Sequence, residues 1–240
     1  DVYKRQIFIF GFYLSNCAAL SDAKPAAPLK EKSETLNMRI VSIGGTITEI
    51  LYALGSGHEI VAVDSTSRYP KNALTKPNIG YMRRLSAEPI LSLDPTKVLA
   101  IEDSGPVVVL DQVRDAGQDI NLISDEPSLE GVYAKIQEIS SAINKQEAGV
   151  KLVDELRAGL KLITETIAKA DTKPRVLLVL SFGRGGSAVA AGKNTSADSI
   201  ISIVGAQNTI DDFEGYKPLS PEVAVKASPD FIITTNRSLG

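Results

Sequence analysis

Short apolar runs alternate with helical periods along most of the chain. Arg39-Ile40-Val41-Ser42-Ile43 is a β-rich run, and Gly44-Gly45-Thr46 turns it into a helical pattern carried by Ile47, Ile50, Leu51 and Leu54 and closed by Gly55. Ile60-Val61-Ala62-Val63-Asp64 reads as the next strand, reached through Gly57-His58-Glu59. Lys97-Val98-Leu99-Ala100-Ile101 and Ile120-Asn121-Leu122-Ile123 are two more, with an amphipathic helix from Val107 to Ala116 between them. Strands and helices joined by short links predict a parallel sheet flanked by helices over residues 38–128.

The period then becomes purely helical. Val132, Ile136, Ile139 and Ile143 are followed by Val150, Val153, Leu156, Leu160, Ile163 and Ile167, with Asn144 and Gly149 as candidate breaks. The segment 129–172 therefore predicts one helix and a second of about 20 residues, roughly 30 Å long at 1.5 Å per residue. A helix of that length reaches from one lobe to another; the alternative is a core helix of a single domain. From residue 173 to 240 an α/β rhythm returns. Arg175-Val176-Leu177-Leu178-Val179-Leu180-Ser181 reads as a strand buried on both faces. Helices are predicted from Ala197 to Val204 and from the Ser220 cap, with Pro221 in the first turn, to Ala227. Pro229-Asp230-Phe231-Ile232-Ile233-Thr234-Thr235 is a last strand. A lobe that ends on a bare strand is expected to be incomplete.

Residues 1–37 differ from all of this. Lys4 and Arg5, the apolar run Ile7 to Leu14 and small residues after it have the form of a secretory signal peptide, too short to span as a stable helix. Export follows. Because residue 1 is Asp rather than Met, the natural start is expected to lie elsewhere. Cys17 after Leu14-Ser15-Asn16 resembles a lipoprotein processing box, but with Asn where a small residue belongs, so cleavage to a soluble product is preferred over lipid anchoring. Lys24 to Asn37 reads as a flexible leader.

Composition narrows the chemistry. A net charge of −3 supplies no basic field for nucleic acid, and one Cys with one His excludes an internal disulfide and a Cys/His zinc cluster. His58, in a helix-to-strand turn, reads as a solvated loop residue. Any metal must be held by oxygen or arrive inside a cofactor. Two glycine-rich turns, Gly44-Gly45-Thr46 and Phe182-Gly183-Arg184-Gly185-Gly186-Ser187, invite a phosphate reading, yet neither continues as a dinucleotide or P-loop fingerprint. A nucleotide-binding α/β enzyme stays as a minor alternative.

The densest chemistry lies in Gly80-Tyr81-Met82-Arg83-Arg84-Leu85-Ser86-Ala87-Glu88, which sets a phenol and two guanidiniums at a loop-to-helix junction. That set suits a flat, anionic ligand, because guanidinium forks bind carboxylates and a phenol coordinates or stacks. Read alone, it is equally an exposed loop with a solvated basic pair.

This stretch, together with Arg39 to Gly55 and with Ser220-Pro221-Glu222 followed by Ala227-Ser228-Pro229-Asp230, resembles the haem-binding members of the ABC-transporter periplasmic binding proteins. The resemblance runs from Arg39 to Gly240 and implies two Rossmann-like α/β lobes, each a mainly parallel sheet flanked by helices, joined by a single long helix: a class III periplasmic binding protein with a truncated C-terminal lobe. It implies a monomeric, non-enzymatic carrier of ferric haem b for iron acquisition, serving an inner-membrane ABC permease downstream of an outer-membrane haem uptake system. Cobalamin or a ferric siderophore is the alternative cargo. Tyr81 would be the axial iron ligand, since a phenolate is a hard, anionic donor suited to Fe(III). Arg83 or Arg84 would help it ionise and meet the propionates, and Arg237 would approach from the second lobe, where Phe182 would cover a porphyrin face. Glu49 and Glu222 would dock the permease, although both lie near helix N-termini where a carboxylate is favoured anyway. Pro89 stands where the family motif carries Gly.

Overall fold

The computed structural model describes residues 38–182 and 188–235. The signal-peptide region with Cys17, the Gly-rich run after Phe182, and Arg237 lie outside the described residues. The first sheet is built from β1 (Ile40–Ile43), β2 (Ile60–Val63), β3 (Lys97–Ile101) and β4 (Ile120–Ile123), wholly parallel in the order β2-β1-β3-β4. All four β1 residues are buried, as are Val98 to Ile101 of β3, because helices cover both faces. The helices are α1 (Gly45–Ala53), the short α2 (Ala87–Leu91), α3 (Val107–Asp115) and α4 (Leu129–Ala142). Ile47 and Leu51 of α1, Ile136 and Ile139 of α4 and the strand residues close one apolar core.

Ser128 caps α4 by accepting from the Gly131 N–H at 2.9 Å, and the helix ends just before Asn144, whose φ of 57° breaks the run. Gly149, the other candidate break, instead lies inside α5 (Gln146–Ile167). It is where α5 crosses α4: a Cβ there would stand 2.1 Å from Ser140 Oγ and 2.6 Å from Ser140 Cβ. The 22 residues of α5 span about 33 Å. Its first turns pack on α4 through Val153, and Ile167 at its far end lies against Gly205 of the second lobe. The helix thus joins the two sheets. Of its apolar stripe only Val153 is buried; Val150, Leu156 and Ile163 are exposed, because between its two ends the helix crosses neither sheet.

The second sheet contains β5 (Arg175–Phe182), β6 (Ala188–Ala191), β7 (Gln207–Asn208), β8 (Tyr216–Leu219) and β9 (Phe231–Thr234), with α6 (Ser196–Ile203) and α7 (Pro221–Ala227). β7 and β6 share one edge of β5 and β9 takes the other, with β8 outside β6. The pairing is mixed. β5 runs parallel to β7 and β9 but antiparallel to β6, which is antiparallel to β8. Only five residues separate β5 from β6, too few for a parallel crossover. Burial of β5 on both faces holds for Val176, Leu177 and Val179 and fails at Leu180, which is exposed. Among the described residues no helix is long and apolar enough to cross a membrane.

Two glycines of α5 give opposite expectations. Gly149→Ala should destabilise the protein by about 1–3 kcal/mol by forcing α4 and α5 apart. Gly159→Ala, with nothing within 4 Å of the added methyl, should stabilise it by about 0.5–1 kcal/mol. Urea unfolding of the two variants measures both.

Candidate functional site

The loops that follow the four parallel strands gather at one edge of the first sheet, the end where α/β proteins bind ligands. Asp64, fully buried just after β2, organises two of them. Its carboxylate accepts from the Gly44 N–H at 2.9 Å, the Thr66 N–H at 2.9 Å, the Thr66 hydroxyl at 2.7 Å and the Ser67 hydroxyl at 2.9 Å. A buried hydroxyl chain continues from Ser67 to Thr48 and Ser42, each step 2.7 Å. The Gly44 N–H is thereby committed to Asp64 and the Gly45 N–H to Thr66 Oγ1 at 3.2 Å. These are the donors a phosphate would need, so the Gly44-Gly45-Thr46 turn is a structural joint rather than an anion cradle.

The Tyr81 loop is laid along this joint. Val63 and residues 77–79 exchange backbone bonds of 2.9 and 3.0 Å, extending the edge of β2, and the Ser65 N–H donates to the Gly80 carbonyl at 2.8 Å. Gly80 has φ +100°, a conformation L side chains rarely adopt, and this turns the chain outward at Tyr81. On its far side the loop is bound to the turn after β3: the Gly105 N–H donates to the Met82 carbonyl and the Leu85 N–H to the Gly105 carbonyl, both at 2.9 Å. Ile79, Met82 and Leu85 are buried anchors at a spacing of three, which leaves Tyr81, Arg83 and Arg84 facing out. Pro89 falls within the first turn of α2, where a missing N–H removes no helical bond.

Tyr81 is 41% exposed, and Arg83 Nη1 donates to its hydroxyl at 3.1 Å. Arg83 Nη2 donates to Asp103 Oδ2 at 3.0 Å. The Tyr81 bond first, and Asp103 second, hold this guanidinium even more firmly protonated than an ordinary arginine. Of the two adjacent arginines, it is Arg83 that meets the phenol. Arg84 is exposed; its N–H donates to the Tyr81 carbonyl at 2.7 Å, and its guanidinium has no hydrogen bond or ion pair among the described residues.

Three features here escaped the sequence reading. Asp103 sits in the turn after β3, and nothing in its sequence neighbourhood ties it to Arg83. Arg68, in the loop held by Asp64, is a further exposed guanidinium with no partner among the described residues. Val107 and Val108 open α3 beside Gly105 yet are 69% and 60% exposed, an apolar ledge at the same strand ends. The run of three valines after Gly105-Pro106 was the available signal, absorbed by the helical pattern. Phe182 closes β5, but its side chain, like Arg237, lies outside what is described. His58 is exposed in the turn before β2, as expected.

Residues 40–240 match the model of the periplasmic binding protein family. The chain belongs to that family. As a periplasmic binding protein it falls among exported substrate-binding proteins rather than enzymes. Among solved structures it is similar to the periplasmic heme-binding protein RhuT from Roseiflexus sp. RS-1 in apo form, at 38% identity and a TM-score of 0.79, over 84% of this chain and 78% of that one. It is 31% identical to the uncharacterized ABC transporter substrate-binding lipoprotein YvrC of Bacillus subtilis, over 82% of this chain but only 63% of that protein's length. The vitamin B12-binding protein of Vibrio campbellii is 26% identical over 84% of this chain and 72% of its own.

The two acidic positions of the resemblance differ in setting. Glu222 lies in the first turn of α7, where its own N–H and then the Ser220 hydroxyl hold its carboxyl below the usual value of 4.5. Glu49 is not at a helix start but in the second turn of α1, since the helix begins at Gly45, and desolvation raises its carboxyl above 4.5. The signs are opposite. The Glu222 contribution to stability is present above the ordinary carboxylate value and is lost as pH falls through its lowered value. The charged form of Glu49 costs stability, a cost relieved as pH falls through its raised value. Carbon-13 detected titration of the glutamate carboxyls should place the Glu49 midpoint above, and the Glu222 midpoint below, that of an exposed glutamate.

Proposed function

We propose that this protein captures ferric haem at the Tyr81 rim and hands it to an inner-membrane ABC importer. The observation that carries this reading is the grouping of an exposed phenol, engaged by Arg83, with two uncommitted guanidiniums, Arg68 and Arg84, and the Val107-Val108 ledge. Haem asks for such a mixture: a hard anionic donor for Fe(III), apolar cover for a flat ring, and cations for two propionates. Tyr81 is the axial ligand, Arg83 steadies its phenolate once iron has displaced the proton, and Arg84 and Arg68 meet the propionates. In this reading Phe182 and Arg237 complete the site from the second lobe. Similarity to a haem-binding structure at 38% identity, against 26% for a vitamin B12-binding relative, supports the same cargo.

Cobalamin is the second reading, favoured by that relative. Its corrin periphery carries amides, which leave Arg68 and Arg84 without a carboxylate to bind. Titration separates the two. Hemin should give the spectrum of ferric haem with tyrosinate, and cyanocobalamin should not bind. Tyr81→Ala should lose that spectrum and weaken hemin binding by at least the roughly 10–100-fold typical of disturbing a metal ligand's support. Binding of cyanocobalamin without hemin overturns the cargo.

Glu49 and Glu222, exposed on α1 and α7, are the permease contacts in this reading. Glu49→Lys with Glu222→Lys should leave hemin titration unchanged and abolish haem-dependent growth. Weakened hemin binding in that double variant would assign the two residues to the fold or the site instead.

A further inference from the structure

Among the described residues, Arg83 is the one guanidinium at this rim that is already engaged, and it is engaged twice. Nη1 points to the Tyr81 hydroxyl at 3.1 Å and Nη2 to Asp103 Oδ2 at 3.0 Å, so one planar fork spans the phenol and the carboxylate. The two ends of this span are not independent. Asp103 belongs to the turn after β3, and that turn is bonded to the Tyr81 loop by both Gly105 backbone contacts, at 2.9 Å each. The backbone that carries Asp103 is therefore held beside the Tyr81 loop, and its carboxylate, 63% exposed, reaches Arg83 from there. Without it, Arg83, whose side chain is 53% exposed, has only a neutral hydroxyl to oppose its rotamer freedom and hydration.

We propose that Asp103 is a positioning residue for cargo binding: it holds the Arg83 guanidinium against the Tyr81 oxygen before the ligand arrives. When Fe(III) binds, the iron–oxygen bond forms, the phenol O–H bond breaks and the proton passes to solvent. Arg83 then faces a phenolate without having to be recruited from water. Asp103 itself touches neither iron nor ring. This inference rests on Tyr81 as the iron ligand, but its first test does not.

In the ligand-free protein, nitrogen-15 NMR should show hindered rotation of the Arg83 guanidinium, lost in Asp103→Ala and restored in Asp103→Glu. Hemin titration then reads the consequence. Asp103→Ala should shift the tyrosinate-to-iron charge-transfer band in the same direction as Arg83→Ala and weaken hemin binding about tenfold, the lower end for removing a ligand's supporting partner. Asp103→Glu should recover both. Free rotation of Arg83 in the wild type, or an unshifted band in Asp103→Ala where Arg83→Ala shifts it, overturns the proposal and leaves Tyr81 in its role. If Tyr81→Phe keeps the wild-type hemin spectrum, the reading of Tyr81 fails instead, whatever the NMR shows for Arg83.

Discussion

The carboxylate of Asp64 is the constraint on which the binding edge depends. A carboxyl group buried at the ends of β1 and β2 is tolerable only if its oxygens are fully occupied, and four donors between 2.7 and 2.9 Å occupy them. The buried donors, from Gly44 and Ser67, would each cost about 1–3 kcal/mol if left unpaired, so the arrangement is closed to small adjustments. Two loops lock together as a result: the turn that starts α1 and the segment after β2. The Tyr81 loop is then laid on the second of these through Val63 and Ser65, and tied to β3 through Gly105. Tyr81 is on a loop, yet the residues on either side of it, Gly80 and Met82, are bonded to Ser65 and Gly105 in the segments after β2 and β3.

This layering explains what could be read in the sequence. β1, β2 and β3 were legible because they are largely buried and appear as nearly unbroken apolar runs, and β4, at the edge with Leu122 exposed, was legible from Ile120, Leu122 and Ile123. α1, α4 and α5 were legible through their periods. The second sheet was less so. β6 is Ala188 to Ala191, where small side chains give no alternation, and β8 carries three exposed residues of four. β7 is two residues long and is defined by pairing with β5 alone. Gly149 looked like a helix break because close approach of two helices leaves the same mark in sequence as a terminus. At the site, Tyr81 and Arg83 were legible because two residues separate them. Asp103 was not, because it meets Arg83 across 20 residues through a contact only the register of β3 creates. Arg68 was overlooked for the same reason: its relevance comes from the bond between Ser65 and Gly80.

Committed and uncommitted groups also bear on what the edge can bind. The N–H groups of Gly44 and Gly45 are spent on Asp64 and Thr66, so a phosphate would have to break an internal joint to reach them. The nucleotide-enzyme alternative loses its better loop for that reason. Arg68 and Arg84, in contrast, are solvated and free of partners among the described residues. Exposed guanidiniums contribute little to folding, since surface pairs are worth about 0–1 kcal/mol and these have no pair at all. They gain most from a carboxylate that arrives with an apolar body, because covering the site removes the water that screens them.

In the proposed haem reading, the three arginines divide the work by what each already holds. Arg83 is fixed by Asp103 and its reach is set, which suits a group that must meet one atom, the Tyr81 oxygen. Arg68 and Arg84 keep their rotamer freedom, which suits groups that must follow two flexible propionate arms. Were all three pre-bound to acids, the edge would be electrostatically neutral and indifferent to an anionic ligand. Were none, the phenol would compete with water for its guanidinium at each binding event. In that reading one held and two free would combine a defined iron position with tolerance at the ring's charged edge, and the Asp103 contact is what separates the first role from the second.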